Sequence, residues 1–168
     1  MDLLMASLGV FYKNVPEYIE EIKRIVNYES EISLRVLDWF VTNYVKKYII
    51  IIDSGDGQGF NVYHDYKLQL KSYSKSHFDP FCRKNKIMYF YLDDMESIPT
   101  SCGQLCFFRW CFERKILDYV KDNLEDIETD MRASIPQPNK SQNKKRQPLS
   151  VSASKSMTRR DVKYTVTW

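Results

Sequence analysis

From Ile135 onward the chain carries Lys140, Lys144, Lys145, Arg146, Lys155, Arg159, Arg160 and Lys163 against a single acid, Asp161. The 134 residues before that point carry 17 basic and 21 acidic side chains, so a body of net charge −4 precedes a tail of +7. A stretch so charged, and so rich in Lys, Ser and Asn, cannot gather a core of its own. The chain is therefore expected to divide into a compact body, residues 1–134, and an extended basic arm, residues 135–168. An arm of this kind lies on something else: a partner protein, nucleic acid or an anionic surface.

A body of this size buries roughly two-thirds of the surface its unfolded chain exposes, enough for one cooperative core. Eleven tyrosines and nine phenylalanines supply much of its material. The apolar start, Met1 to Val10, lacks the basic flank of an export signal, and no run approaches the ~18 apolar residues of a membrane helix. With four cysteines, Cys82, Cys102, Cys106 and Cys111, this points to free thiols in a reducing intracellular compartment.

Along the body, Pro16 followed by Glu17, Glu20 and Glu21 marks a helix start, and the helix should run to about Asn27. Ser30 is placed to cap the next, in which Leu34, Val36, Leu37, Phe40, Val41, Tyr44 and Val45 recur at helical spacing. Tyr48 to Ile52 reads as a strand buried on both faces, followed by the glycine-rich loop Asp53 to Gly59. Residues 64–85 predict a short helix and a loop broken at Asp79-Pro80, and Lys86 to Leu92 a second strand. Thr100 or Ser101 should cap a long helix from about Gly103 to Asn123, extending toward Arg132 after a break, with Pro136 and Pro138 ending it. The fold class is thus α+β: a small sheet packed with several helices, one of them long and C-terminal, and the extended basic arm. That arm closes on Val162, Tyr164, Val166 and Trp168 alternating with polar residues, a strand pattern with no partner nearby in sequence.

Candidate chemistry is sparse. Cys102 and Cys106 share a helix face, but Cys111 lies nine residues from Cys102 and points away, and no CxxC or HxxxH spacing occurs. The cysteines read as small buried hydrophobes, and no metal, cofactor or catalytic residue is assigned. Asp53 and Asp56, and Asp93, Asp94 and Glu96, follow predicted strands; converging, they could hold Mg²⁺ for a nuclease-like reaction, although acids there are ordinary turn formers. The glycine loop lacks the Gly-Lys-Ser/Thr of a P-loop and the distal glutamate of an EF-hand, so a tight hairpin is the simpler reading. Tyr66 to Lys86 interleaves bases with aromatics, which suits either stacked nucleic acid or an amphipathic helix with a docked loop. The helix after Gly103 is apolar around its girth, with Phe107, Trp110 and Leu117 off the main face, and is expected at the centre of the body.

Four stretches, Leu37 to Lys47, Tyr66 to Lys75, Phe78-Asp79-Pro80-Phe81-Cys82-Arg83 and Gly103 to Trp110, together resemble a protein family of nucleocytoplasmic large DNA viruses. The resemblance covers roughly Ile32 to Met131. The family pattern has Asn where Cys106 stands and Ala where Cys111 stands, which gives those thiols no special role. The family carries no assigned activity. What the resemblance implies is a viral protein, expected in the virion and, during assembly, in the host cytoplasm. The expected function is that of a structural virion protein, a minor capsid or capsid-associated component with other virion proteins as partners. Its arm would dock through Lys144, Lys145, Arg146, Arg159 and Arg160 for steering and Val162, Tyr164, Val166 and Trp168 for a strand contact. The alternative is a protein that lays the arm on viral DNA; a Mg²⁺-dependent nuclease is the less favoured third reading.

Overall fold

The structure, a computed structural model, describes residues 2–53, 57, 59–73, 77–91 and 95–134. The arm and its expected contact residues lie outside the described residues.

The N-terminal apolar stretch forms a helix, α1 (Asp2–Asn14), for which the sequence offered no cap. Leu8 and Tyr12, four apart, are buried, and the Tyr12 hydroxyl donates to the Leu105 carbonyl at 2.7 Å. Helix α2 (Glu17–Val26) starts after Pro16 and ends at Asn27, as expected, with Ile19, Ile22 and Ile25 on its buried face. The cap of α3 (Leu34–Trp39) is Ser33, whose extended backbone lets its hydroxyl accept from Val36 N at 3.2 Å. Ser30, expected in that role, instead accepts from Ile32 N within the preceding turn. Helix α3 runs into a π-helical turn, Phe40–Tyr44, and a last short turn, α4 (Val45–Lys47).

The isoleucine run differs from expectation. Strand β1 is only Ile51–Asp53, and it pairs antiparallel with β2 (Gly59–Asn61) across the glycine loop. Ile52 is buried, but Ile49 is 82% exposed and Ile51 also faces out. A continuous apolar run does not reveal how many faces are covered, and a two-stranded ribbon covers one. The loop is the expected hairpin: Gly57 takes a left-handed φ of 77° and its N–H donates to Asp53 Oδ1. Helix α5 (Val62–Tyr73) follows, with Asn61 Oδ1 accepting from His64 N at 3.0 Å.

The second hairpin pairs β3 (Lys86–Tyr91) with β4 (Glu96–Ser101), from Lys86 opposite Ser101 to Tyr91 opposite Glu96. Pro99 hid β4 from a sequence reading. It is tolerated because both strands of a two-stranded ribbon are edges, so one side of each needs no donor. Ile87, Tyr89 and Tyr91 turn toward the body while Met88 and Phe90 face outward. Ser101 caps α6 (Cys102–Glu113), its hydroxyl accepting from Gln104 N at 3.1 Å.

The expected long helix breaks near Asn123, as anticipated, and also at Lys115, which makes three helices. Lys115, left-handed at φ 52°, ends α6; α7 (Ile116–Asp122) follows, and Asn123 separates it from α8 (Leu124–Ser134). The periodicity survives the breaks because Ile116, Leu117, Val120 and Ile127 all remain in the core. Helix α6 is the central helix: from Cys102 to Cys111 every residue but Arg109 is buried. Helices around one central helix, with two small antiparallel sheets, make the fold α+β. No described helix is long and apolar enough to cross a membrane.

Candidate functional site

A cleft of about 430 Å³ opens between α3 with its π turn, α5 and the loop before β3. Its walls include Asp38 and Thr42, Tyr66, and Phe78, Phe81 and Arg83.

The loop owes its shape to buried polar contacts with the start of α6. Gln104 is buried and donates through Nε2 to the Pro80 carbonyl at 2.8 Å, while its Oε1 accepts from Thr100 Oγ1 at 2.8 Å. The Asp79 N–H donates to the Gly103 carbonyl at 3.2 Å. Phe78 is the apolar anchor, its ring 5.4 Å from Phe107 and 5.5 Å from Trp110. Helix α5 is tied to α6 by Trp110 Nε1 donating to Asp65 Oδ2 at 2.7 Å and by an Arg114–Asp65 ion pair at 3.1 Å. One wall of the cleft is thus fixed to the most buried helix of the protein.

Within it, Arg83 is already committed. It donates Nε to Asp79 Oδ2 at 3.0 Å and Nη2 to Oδ1 at 2.7 Å, a two-pronged pair, and its guanidinium lies 4.8 Å from the centre of the Phe81 ring. Asp38 is not committed: its carboxylate has no hydrogen bond or ion pair among the described residues. Burial pushes its pKa up, with Asp79 adding to the rise and Arg83 opposing it. Burial and the carboxylates of Asp38 and Asp79 raise the Tyr66 phenol to about 12. No buried side-chain oxygen or nitrogen lacks a partner in the described structure. The unpartnered Asp38 carboxylate and Tyr66 hydroxyl therefore reach solvent, and the cleft that both line is their way out. The Thr42 hydroxyl, at the π turn, donates to the Asp38 carbonyl at 2.6 Å.

The constellations suggested by sequence behave differently. Strands β1 and β3 belong to separate sheets, so strand pairing does not bring their trailing acids together; Asp56, Asp93 and Asp94 lie outside the described residues. Among the described residues no three His, Cys, Asp or Glu side chains gather as a metal would require. All four cysteines are unpaired; Cys102, Cys106 and Cys111 are buried, as small hydrophobes would be. Burial, reinforced by neighbouring Cys102, pushes the Cys106 thiol up to about 12, so it stays protonated and unreactive. In the basic-aromatic segment, Tyr66 and Phe78 turn into the core while Lys67 and Lys71 stay exposed, the pattern of an amphipathic helix and a docked loop. Arm residues Lys144, Lys145, Arg146, Arg159, Arg160, Val162, Tyr164, Val166 and Trp168 are outside the described residues.

The cleft itself was not foreseen. Asp38 sits inside an apolar helical pattern and Tyr66 inside a basic one, with no motif linking them. One signal was available: three of the four stretches that carried the viral resemblance supply its walls, and the fourth, Gly103 to Trp110, holds its loop.

The chain belongs to a family of unknown function, DUF7197, whose pattern matches residues 1–165 and so extends well beyond the Ile32 to Met131 expected from the four stretches. The match takes in α1, α2 and nearly all of the basic arm. One relative is an uncharacterized protein, L507, of Acanthamoeba polyphaga mimivirus, 43% identical over 148 residues. That alignment takes in 83% of this chain but 57% of the relative, so the chain spans little more than half of that protein's length. The family thus has a member in a large DNA virus, as the resemblance implied. No solved structure matches the chain.

Proposed function

We propose that the protein is a structural component of a large DNA virus particle, a minor capsid or capsid-associated protein that docks on neighbouring virion proteins through its body and its basic arm. The observation that carries this reading is the outer face of the β3–β4 hairpin. Met88 is 54% exposed, Phe90 57% and Met95, at the turn, 89%. Among the described residues neither edge of this sheet is paired. Exposed apolar side chains beside open strand edges invite another chain to add to them, and proteins that work alone blunt such edges. The arm supports the same reading from sequence: its basic residues would steer it to acidic surfaces, and Val162 to Trp168 has the alternation of a strand that adds to a partner's sheet. Tethering body and arm contacts in one chain would let two weak interfaces hold together.

Incorporation into particles tests this. Virus carrying Met88→Ser with Phe90→Ser, and virus lacking residues 162–168, should each yield particles depleted of the protein. Neutralising Lys144, Lys145 and Arg146 should only weaken incorporation. Normal incorporation after both the hairpin change and the deletion would overturn the proposal. If neutralisation alone abolishes incorporation and DNA retention, with the steep salt dependence of phosphate contacts, the DNA-binding alternative takes its place.

A further inference from the structure

We propose that the cleft between α3 and the Phe78–Arg83 loop is a receptor for one cationic side chain, an arginine or lysine presented by a partner protein. The inference does not depend on the virion reading, since a basic side chain can be recognised wherever the protein works.

Few charged groups in the cleft remain available to a ligand. Arg83 is the strongest local cation, yet both prongs of its guanidinium are taken by Asp79, so it offers little to an incoming anion. Lys84 contributes a charge from an exposed position at the rim. Among the described residues of the cleft, the one half-buried charge without a hydrogen bond or ion pair is the Asp38 carboxylate. Beside it stands the Tyr66 hydroxyl, also unpartnered, so a donor-rich head group would meet two acceptors. Phe78 and Phe81 give the apolar walls along which the methylene stem of an arginine or lysine lies. The field has the matching sign: burial is the main cause of the raised Tyr66 pKa, and the carboxylates of Asp38 and Asp79 add to the rise while Arg83 opposes it. An anion entering here would lie against Asp38 and Asp79 with no free guanidinium to receive it. A carboxylate partly withdrawn from water in this way costs stability in the empty protein, and an arriving cation relieves that cost. The volume of about 430 Å³ has room for one long side chain and part of its backbone.

The test uses the full chain and an acetylated, amidated Gly-Arg-Gly tripeptide, with its citrulline counterpart as the neutral isostere and Gly-Glu-Gly as the anion. Two-dimensional NMR should show saturable shifts confined to the neighbourhood of Asp38, Thr42, Tyr66 and Phe81 with the arginine peptide at millimolar concentration. Citrulline should bind at least about tenfold more weakly. Asp38→Asn should bring the same loss for the arginine peptide while its melting temperature stays level or rises, which separates a receptor from a structural acid. Lys84→Ala should leave binding intact or improve it. Equal binding of arginine and citrulline, preference for the glutamate peptide, unchanged binding in Asp38→Asn, or no shifts at all would overturn the proposal. Loss of particle incorporation bears only on the virion reading, so the two can fail separately.

Discussion

Two of the three tryptophans sit in the described body, both in helical apolar patterns, and sequence alone expects both to be buried and equally costly to remove. The structure separates them. Trp110 is 3% exposed and its ring lies 5.5 Å from Phe78 and 5.9 Å from Tyr66, so truncation to alanine empties the joint between α5, α6 and the cleft loop. Removing a large aromatic from such a site costs about 3–5 kcal/mol. Trp110→Phe keeps most of that packing but removes the Nε1 donor to Asp65, a bond to a charged group worth roughly 1.5–3 kcal/mol; Arg114 still pairs with Asp65 and softens the loss toward the lower figure. Trp39 is only half-buried. Its donor bond to Asp130 is backed by Lys47, which reaches the same carboxylate at 2.8 Å. Trp39→Ala should therefore cost about 1–2 kcal/mol, the share left when a large side chain is half covered. Urea unfolding followed by far-ultraviolet circular dichroism, which needs no tryptophan reporter, measures all three. The order Trp110→Ala, then Trp110→Phe, then or equal with Trp39→Ala is the expected result. A Trp110→Ala loss below about 1 kcal/mol, or a Trp39→Ala loss equal to it, would refute the reasoning.

Lys115→Gly relieves a left-handed backbone at a non-glycine residue and should stabilise the body by up to about 1 kcal/mol in the same titration. A chain ending at Ser134 should keep its melting temperature within a few degrees, because the most C-terminal residue of the described core is Ile127; an insoluble or molten product would show that the arm completes the core. Burial raises the Asp130 pKa, but hydrogen bonds from Lys47 and Trp39 outweigh it and leave the carboxyl below its ordinary value. A depressed acid stabilises the fold above its unfolded pKa and loses that contribution as pH falls through the folded value, so Asp130→Asn should flatten the fall in stability below about pH 4. Asp38 has the opposite shift: its contribution is present at low pH and lost as pH rises, so Asp38→Asn should gain most over wild type near neutral pH, and a lower melting temperature there would contradict the burial argument.

How much of this was legible in the chain depended on the reach of each signal. Helix α2 was readable because Pro16, three glutamates and three isoleucines act within one helix, and α6 because its excess of apolar girth can only be satisfied at the centre. Signals that need a second segment were weaker. The isoleucines at 49–52 could not say how many of their faces would be covered, and Pro99 masked a strand whose partner lies across a turn. The break at Lys115 has no local signature, since nothing in Arg114-Lys115 marks a left-handed residue as glycine would. The cleft was the least legible feature of all: Asp38, Tyr66 and Arg83 are far apart in sequence, and what makes Asp38 notable is the absence of a partner, which no sequence prints.

The burial of the cysteines also turns α6 into its own reporter. Cys102 sits in the first turn, Cys106 in the middle and Cys111 in the last turn, all buried in the body, whereas Cys82 lies half-exposed in the cleft loop. A thiol reagent added to the native protein should modify Cys82 at once and the other three only when the central helix opens. Their relative labelling rates, read by mass spectrometry of peptides, would then time the opening of each turn. Three equal rates would mark α6 as one cooperative unit with the core, and a faster Cys102 would show that the helix unzips from the end that holds the cleft.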